Sequence, residues 1–557
     1  MRRYGAQVTA IALAASAMLV SGCGESDDFT QVSSSSGTPT PAAVRQAAVS
    51  VAGDVPAPNP VSGIGTPPEL NRGLAVAYQL DGVSDAAITK VLILVPGFFG
   101  GANNFDYLAR RVVQRSHGAT AVWAIDRRSN ALEDQTGLDA AEAAHDPDIA
   151  KNYYFHAAAV GGKTFGGFKS GDAVSFESEW GIATHITDLD AVISEAGRRY
   201  PKAALFLGGH SLGGSIVPIY AAWDFAGRAG FERLSGLLLF EGTPNPATQA
   251  IPDQQDYETN GLGSATNRTS LHALRTGNPV VSLLPSIGAE LFVTTEIIAM
   301  RTSTRFGQPT ATTPDVDLFT KFFKILFGLR QIPTLTNRAA LGFGFDDNYE
   351  PLSFARVSIG EPIGPVGPNP NAAAFGGFVP PGETLLAPSD PHGSYDWTPA
   401  RALPVPEPTD MDTFATMLFA GPSNFIEWYF PARLTFDVGI TQTLDVRPSG
   451  DWRKDVYGIA ATENARVDLP VFAVAAARGL VRDVANFDPY KQSIAATLRD
   501  GTPRDATPAG FLTIARPGYV HLDVLTAFDA DGEGNGVFGP LVDWMETAAR
   551  LAPRPGS

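Results

Sequence analysis

The stretch Leu205-Phe-Leu-Gly-Gly-His-Ser-Leu-Gly-Gly-Ser215 decides how this chain is read. It runs as an apolar strand that stops abruptly at Gly209-His210-Ser211-Leu212-Gly213 and then opens a helix. A serine held on so sharp a turn projects its hydroxyl above the end of a sheet. Small residues flank it because the backbones of strand and helix crowd there. The pattern makes Ser211 a candidate nucleophile. By itself it is weak: with 57 glycines among 557 residues, one such match is expected by chance about 0.3 times. Context has to decide.

Working outward, short apolar strands alternate with helical periodicity. Gly73 to Leu80 reads as an opening strand. Val91 to Val95 is a continuous apolar run that stops at Pro96-Gly97, as a parallel strand buried on both faces does. Ala121 to Ile125 is another, ending in Asp126-Arg-Arg-Ser-Asn130. Ile186, Leu189, Val192, Ile193 and Ala196 keep helical spacing before Arg198-Arg199. Ala203 to Leu207, a helix toward Gly227 that contains Pro218, and the strand Leu237 to Phe240 complete the first part. The alternation predicts an α/β fold, with a mostly parallel central sheet and helices on both faces.

From about 246 to 465 the strand alternation stops and several amphipathic helices take over. One is expected from Thr313-Pro314 to about Arg330, with acids early, bases late and a run of phenylalanines. Strands resume at Leu469–Ala475 and Gly510–Ala515, before a last helix near Pro540–Leu551. The sheet is therefore split by a large, mainly helical cap. The expected division is 71–245 for the first part of the core, 246–465 for the cap and 466–557 for the second part.

The amino terminus points outside the cytoplasm. Arg2 and Arg3 precede an apolar run too short to span a bilayer, and residues 1–22 read as a secretory signal. Cys23, the only cysteine, follows Val-Ser-Gly and resembles the lipobox of bacterial lipoproteins, which implies lipidation there and a membrane anchor. Residues 23–70, rich in Ser, Thr, Pro, Gly and Ala, read as a flexible tether. A lone cysteine excludes an intrachain disulfide. A net charge of −17 argues against nucleic acid and against electrostatic binding to anionic lipid.

On the residues Gly209-His210-Ser211-Leu212-Gly213-Gly214 the chain resembles the α/β-hydrolases, over about 73–245 and 466–557, with the cap between core strands six and seven. The elbow is similar to that of lipases and esterases. The resemblance implies a general base in the loop after the last strand, where Gly518-Tyr-Val-His-Leu-Asp523 supplies His521. It implies a triad acid after strand six or strand seven. Glu241 follows the first directly; Asp483 comes late after the second, and Asp488 later still. It implies oxyanion donors at the N–H of Leu212 and, from Pro96-Gly97-Phe98-Phe99-Gly100-Gly101, the N–H of Phe98. His210 is expected to pack beside the elbow.

The expected activity is hydrolysis of apolar or aromatic carboxylic esters through an acyl-enzyme, without a cofactor or a metal. Acyl transfer, lactone or amide hydrolysis by the same residues, and an inactive surface-binding lipoprotein, stand as alternatives. Asp529 to Asn535 begins like a calcium loop, but position twelve is Pro540, so the pattern fails. Nothing in the sequence speaks to oligomeric state.

Overall fold

A computed structural model describes residues 43–246, 251–262, 269–282, 288–304, 323–375, 379, 382–528 and 536–553. The expected signal peptide, Cys23 and the aborted calcium loop lie outside these residues, as does most of the helix expected from Thr313. Its described end, residues 323–327, is helical, with Phe323, Leu326 and Phe327 buried.

The continuous apolar runs become the strands of one eight-stranded sheet. In chain order they are β1 (Val44–Ala52), β2 (Arg72–Leu80), β3 (Lys90–Val95), β4 (Thr120–Asp126), β5 (Ala204–His210), β6 (Gly236–Phe240), β7 (Val471–Ala476) and β8 (Phe511–Arg516). Across the sheet the order is β1-β2-β4-β3-β5-β6-β7-β8. β2 is antiparallel to both β1 and β4, and every other neighbouring pair is parallel.

The pleat of period two sorts each run between two cores. Val91, Ile93, Leu205, Leu207, Leu237 and Leu239 face one side. There they pack with α2 (Ile182–Arg199) and α3 (Leu212–Ala221). Leu92, Leu94, Phe206, Leu238 and Phe240 face the other side, against α1 (Asp106–Arg115) and the last helix, Phe538–Leu551. Pro218 removes one backbone donor inside α3, yet the helix continues to Ala221.

Two expectations change. Gly73–Leu80 does not open the sheet, because β1 pairs antiparallel along the whole of β2, from Val44 opposite Leu80 to Ala52 opposite Arg72. The span expected as a tether, 23–70, therefore contains an edge strand. With one neighbour and no buried side chain, β1 needs few large apolar residues, so composition conceals it.

The chain between β6 and β7 carries helices α4 (Ala289–Thr304), α5 (Asn337–Phe345), α6 (Met411–Phe419) and α7 (Ala432–Thr441). It also carries short strands, among them Gly360–Ile363 paired with Ser394–Pro399 and Val366–Pro368 paired with Leu386–Pro388. No described helix is long and apolar enough to cross a membrane.

Candidate active site

The carboxyl ends of β3, β5, β6 and β7 meet at the turn after β5. Ser211 sits on it with φ 55° and ψ −121°, a backbone conformation that costs energy and persists only when its surroundings impose it. They do. The Ser211 N–H donates to the Phe240 carbonyl at 2.9 Å, and the Gly214 N–H donates to Ser211 O at 2.8 Å. A Cβ at Gly209 would lie 2.1 Å from Gly213 O, and one at Gly213 would lie 2.1 Å from Val95 O. The glycines of the motif are therefore close-approach residues. Ser211 itself is half-buried.

The turn after β8 brings His521 to this end of the sheet. Its Nδ1 lies 3.1 Å from Glu241 Oε2, and both side chains are buried. Its Nε2 is buried with no hydrogen-bond partner among the described residues. Burial pushes the imidazole down to about 3, so the ring is neutral near pH 7.

Glu241, also at positive φ, is fixed from the neighbouring strand. Its Oε1 accepts the Ala476 N–H at 2.6 Å, and its Oε2 accepts the Leu480 N–H at 2.7 Å and the Val481 N–H at 3.3 Å. Burial pushes its carboxyl up to about 8, against these three donors, which favour the ionised form. A Cβ at Gly479 would lie 2.1 Å from Glu241 Oε2, so that glycine leaves room for the carboxylate.

The other acids named from the sequence stand elsewhere. Asp483 is exposed and caps the turn Val484–Phe487 by accepting the Ala485 N–H at 2.9 Å. Asp488 is exposed at the start of the helix Asp488–Ser493. His210 Nε2 lies 3.0 Å from the His521 carbonyl, with ring centroids 4.4 Å apart. It packs beside the turn.

Strand order and serine turn together decide the architecture. This is the α/β-hydrolase fold. No family model matches the chain, and no curated protein matches it by sequence. Among solved structures, a candidate lipase from Sulfolobus solfataricus is similar at 12% identity and TM-score 0.43, covering 90% of this chain and 94% of that one. An esterase from Thermogutta terrifontis is similar at 9% identity and TM-score 0.31, covering 90% and 99%. A monoglyceride lipase from Saccharomyces cerevisiae is similar at 12% identity and TM-score 0.31, covering 85% and 92%. At these scores no likeness bears on the reaction, and the fold assignment rests on the strand order.

The sheet leaves the loop Pro96 to Gly101 beside Ser211: a Cβ at Gly97 would lie 3.3 Å from Ser211 Oγ. Leu212 begins α3, so its N–H has no partner within the helix. Phe98 follows Gly97, and its ring packs on Phe99, Phe354 and Phe430 at centroid distances of 4.4, 5.4 and 4.9 Å.

From Phe98 an apolar cavity, partly open to solvent, runs beneath the insertion. Phe292, Leu341, Phe345, Leu352 and Phe354 line it, and Leu522, next to His521, closes one side. Sequence reasoning missed the groups that lock the insertion onto this region. Arg127 joins the Pro96–Gly101 loop to Glu427, and Asp523 joins the loop after β8 to Ser358 and Thr409. Arg127 stood in view after β4, but nothing local marked a partner 300 residues away.

Proposed function

We propose that the protein is a serine hydrolase that cleaves carboxylic esters with apolar acyl or aromatic groups. The observation that carries the reading is the buried pairing of His521 Nδ1 with Glu241 Oε2 at 3.1 Å, beside the strained turn that bears Ser211. A serine hydroxyl is a poor nucleophile near neutral pH and needs a base, and the base needs a group that fixes its tautomer and stabilises its cation.

In this reading Ser211 Oγ attacks the acyl carbonyl as its proton passes to His521 Nε2. The oxyanion takes the N–H groups of Phe98 and Leu212. Collapse expels the alcohol, which leaves with the proton from His521. Water then attacks the acyl-enzyme by the same route, yielding the carboxylic acid and free Ser211. The phenylalanine- and leucine-lined cavity against Phe98 and Leu522 supports an apolar acyl or aryl group as the part recognised.

A fluorophosphonate probe tests the reading: it labels the wild-type chain and not Ser211→Ala, and an unlabelled wild type overturns the proposal. We also propose that Cys23 carries lipid and holds the protein outside the cytoplasm on a bacterial membrane. In a bacterial host, labelled palmitate is expected in the wild-type chain and not in Cys23→Ser; equal labelling, or none in either, refutes the anchor.

A further inference from the structure

A buried arginine stands behind the Pro96–Gly101 loop, which carries the proposed oxyanion donor Phe98. Arg127, the residue after β4, uses both terminal nitrogens fully. Nη2 donates to the carbonyls of Pro96 at 2.7 Å and Gly97 at 2.8 Å. Nη1 donates to the Gly100 carbonyl at 2.9 Å and to Glu427 Oε2 at 2.7 Å. The guanidinium lies 4.9 Å from the centre of the Phe430 ring, and both members of the ion pair are buried.

Glu427 belongs to the insertion. Its second oxygen accepts from Ser129 Oγ, and its own N–H donates to Phe99 O at 2.8 Å. The same segment adds a bond from the Gly101 N–H to Phe425 O at 3.0 Å, and an isolated bridge pairs Gly100 with Ile426. Phe99 takes a positive φ of 55°, which these contacts on either side of it sustain.

Three carbonyls turned toward one guanidinium fix the peptide planes between them. The peptide bonds are all trans among the described residues. In a trans plane the carbonyl and the following N–H point in opposite directions. A Gly97 carbonyl clamped on Arg127 therefore turns the Phe98 N–H away from it. A loop with unclamped glycines at positions 97, 100 and 101 has many other ways to set that plane.

We infer that Arg127 is a positioning residue that aims the Phe98 N–H as an oxyanion donor, and that Glu427 makes this aim depend on the docked insertion. The inference rests on the serine-hydrolase reading above. Arg127 never touches substrate; it acts through the loop. Lysine, a single point of charge on a flexible stem, cannot hold three carbonyls and a carboxylate in one plane.

The test compares wild type with Arg127→Lys, Arg127→Met/Glu427→Leu and Glu427→Gln, each checked by thermal melt. The double variant replaces both buried charges with apolar groups, so no unpaired ion is left to unfold the chain. Losing one oxyanion donor lowers kcat by about 10²- to 10³-fold. That loss is expected for the double variant on p-nitrophenyl butyrate, with KM within about threefold and an equal loss of affinity for an arylboronic acid, whose tetrahedral serine adduct fills the oxyanion position. Arg127→Lys is expected between the two, and Glu427→Gln nearest wild type.

A merely structural arginine would move the melt without this split between kcat and KM. A folded double variant with wild-type kcat and boronate affinity overturns the inference while leaving the hydrolase reading intact. A wild-type chain that fluorophosphonate fails to label overturns both.

Discussion

Thr409 Oγ1 donates to Asp523 Oδ1 at 2.8 Å, which fastens the loop carrying His521 to the insertion. The same oxygen accepts the Ser358 N–H at 3.1 Å, and Oδ2 accepts the Val520 N–H at 2.9 Å. Beside them the Leu522 N–H reaches Arg356 O at 3.1 Å. Asp523→Asn puts an amide N–H where one of these oxygens now accepts one or two donors. Leaving a buried donor unpaired costs about 1–3 kcal/mol. The urea midpoint is expected to fall accordingly, with kcat reduced; a midpoint equal to that of wild type refutes this role.

Glu241 and Asp483 are separated by one measurement. Glu241→Gln loses the carboxylate that faces His521 Nδ1 and sets an amide against three backbone donors. In chymotrypsin-like proteases, changing the triad aspartate to asparagine lowers kcat by about 10⁴-fold. A loss of about 10³-fold or more is expected here. Asp483→Asn, at an exposed turn, is expected within about twofold of wild type. The opposite ranking in side-by-side kinetics would move the acid to Asp483.

Glu350, buried at the cavity wall, links pH to stability. Burial pushes its carboxyl from 4.5 to about 8, against a 2.7 Å bond from the Leu352 N–H. Between those values the native state keeps a proton that the unfolded chain has released, so this group's contribution falls as pH rises through that window and is constant above it. Each pK unit is worth about 1.4 kcal/mol. From pH 6.5 to 8, Glu350→Gln is expected to flatten the fall in unfolding free energy by about 2 kcal/mol. Parallel curves for variant and wild type would exclude the linkage.

Leu341 lines the same cavity, which in the proposed reading takes the acyl chain. Each buried methylene contributes about 0.8 kcal/mol, so an apolar cavity favours octanoyl over acetyl esters in kcat/KM. Leu341→Trp fills that space. The octanoyl-to-acetyl ratio is expected to drop by about tenfold or more, with acetyl turnover preserved. An unchanged ratio would place the acyl group elsewhere.

The strands were legible wherever burial on both faces forced an unbroken apolar run. Val91–Val95 and Leu237–Phe240 are examples, and the glycines beside Ser211 announced the crowding that the elbow requires. β1 was not legible, because an edge strand with no buried side chain carries no such run. The acid stayed open in the sequence for a physical reason. The segment after β7 also holds a glycine, Gly479, and a Cβ there would meet Glu241 Oε2. The bonds from Arg127 to Glu427 and from Thr409 to Asp523 join residues far apart in the chain, and no local pattern encodes them.

The register of β6 against β7 also orders events in time. Leu237 pairs with Val471 across the entire insertion, so the chain must close a very long loop before the sheet is complete. β1 to β6 can assemble first, with Ser211 and Glu241 already on their turns. The N–H groups of Ala476, Leu480 and Val481 that hold Glu241, and then His521 itself, come only with the last two strands. On a ribosome, Ser211 is thus in place long before His521 emerges, and the proposed hydrolysis waits for the last strands.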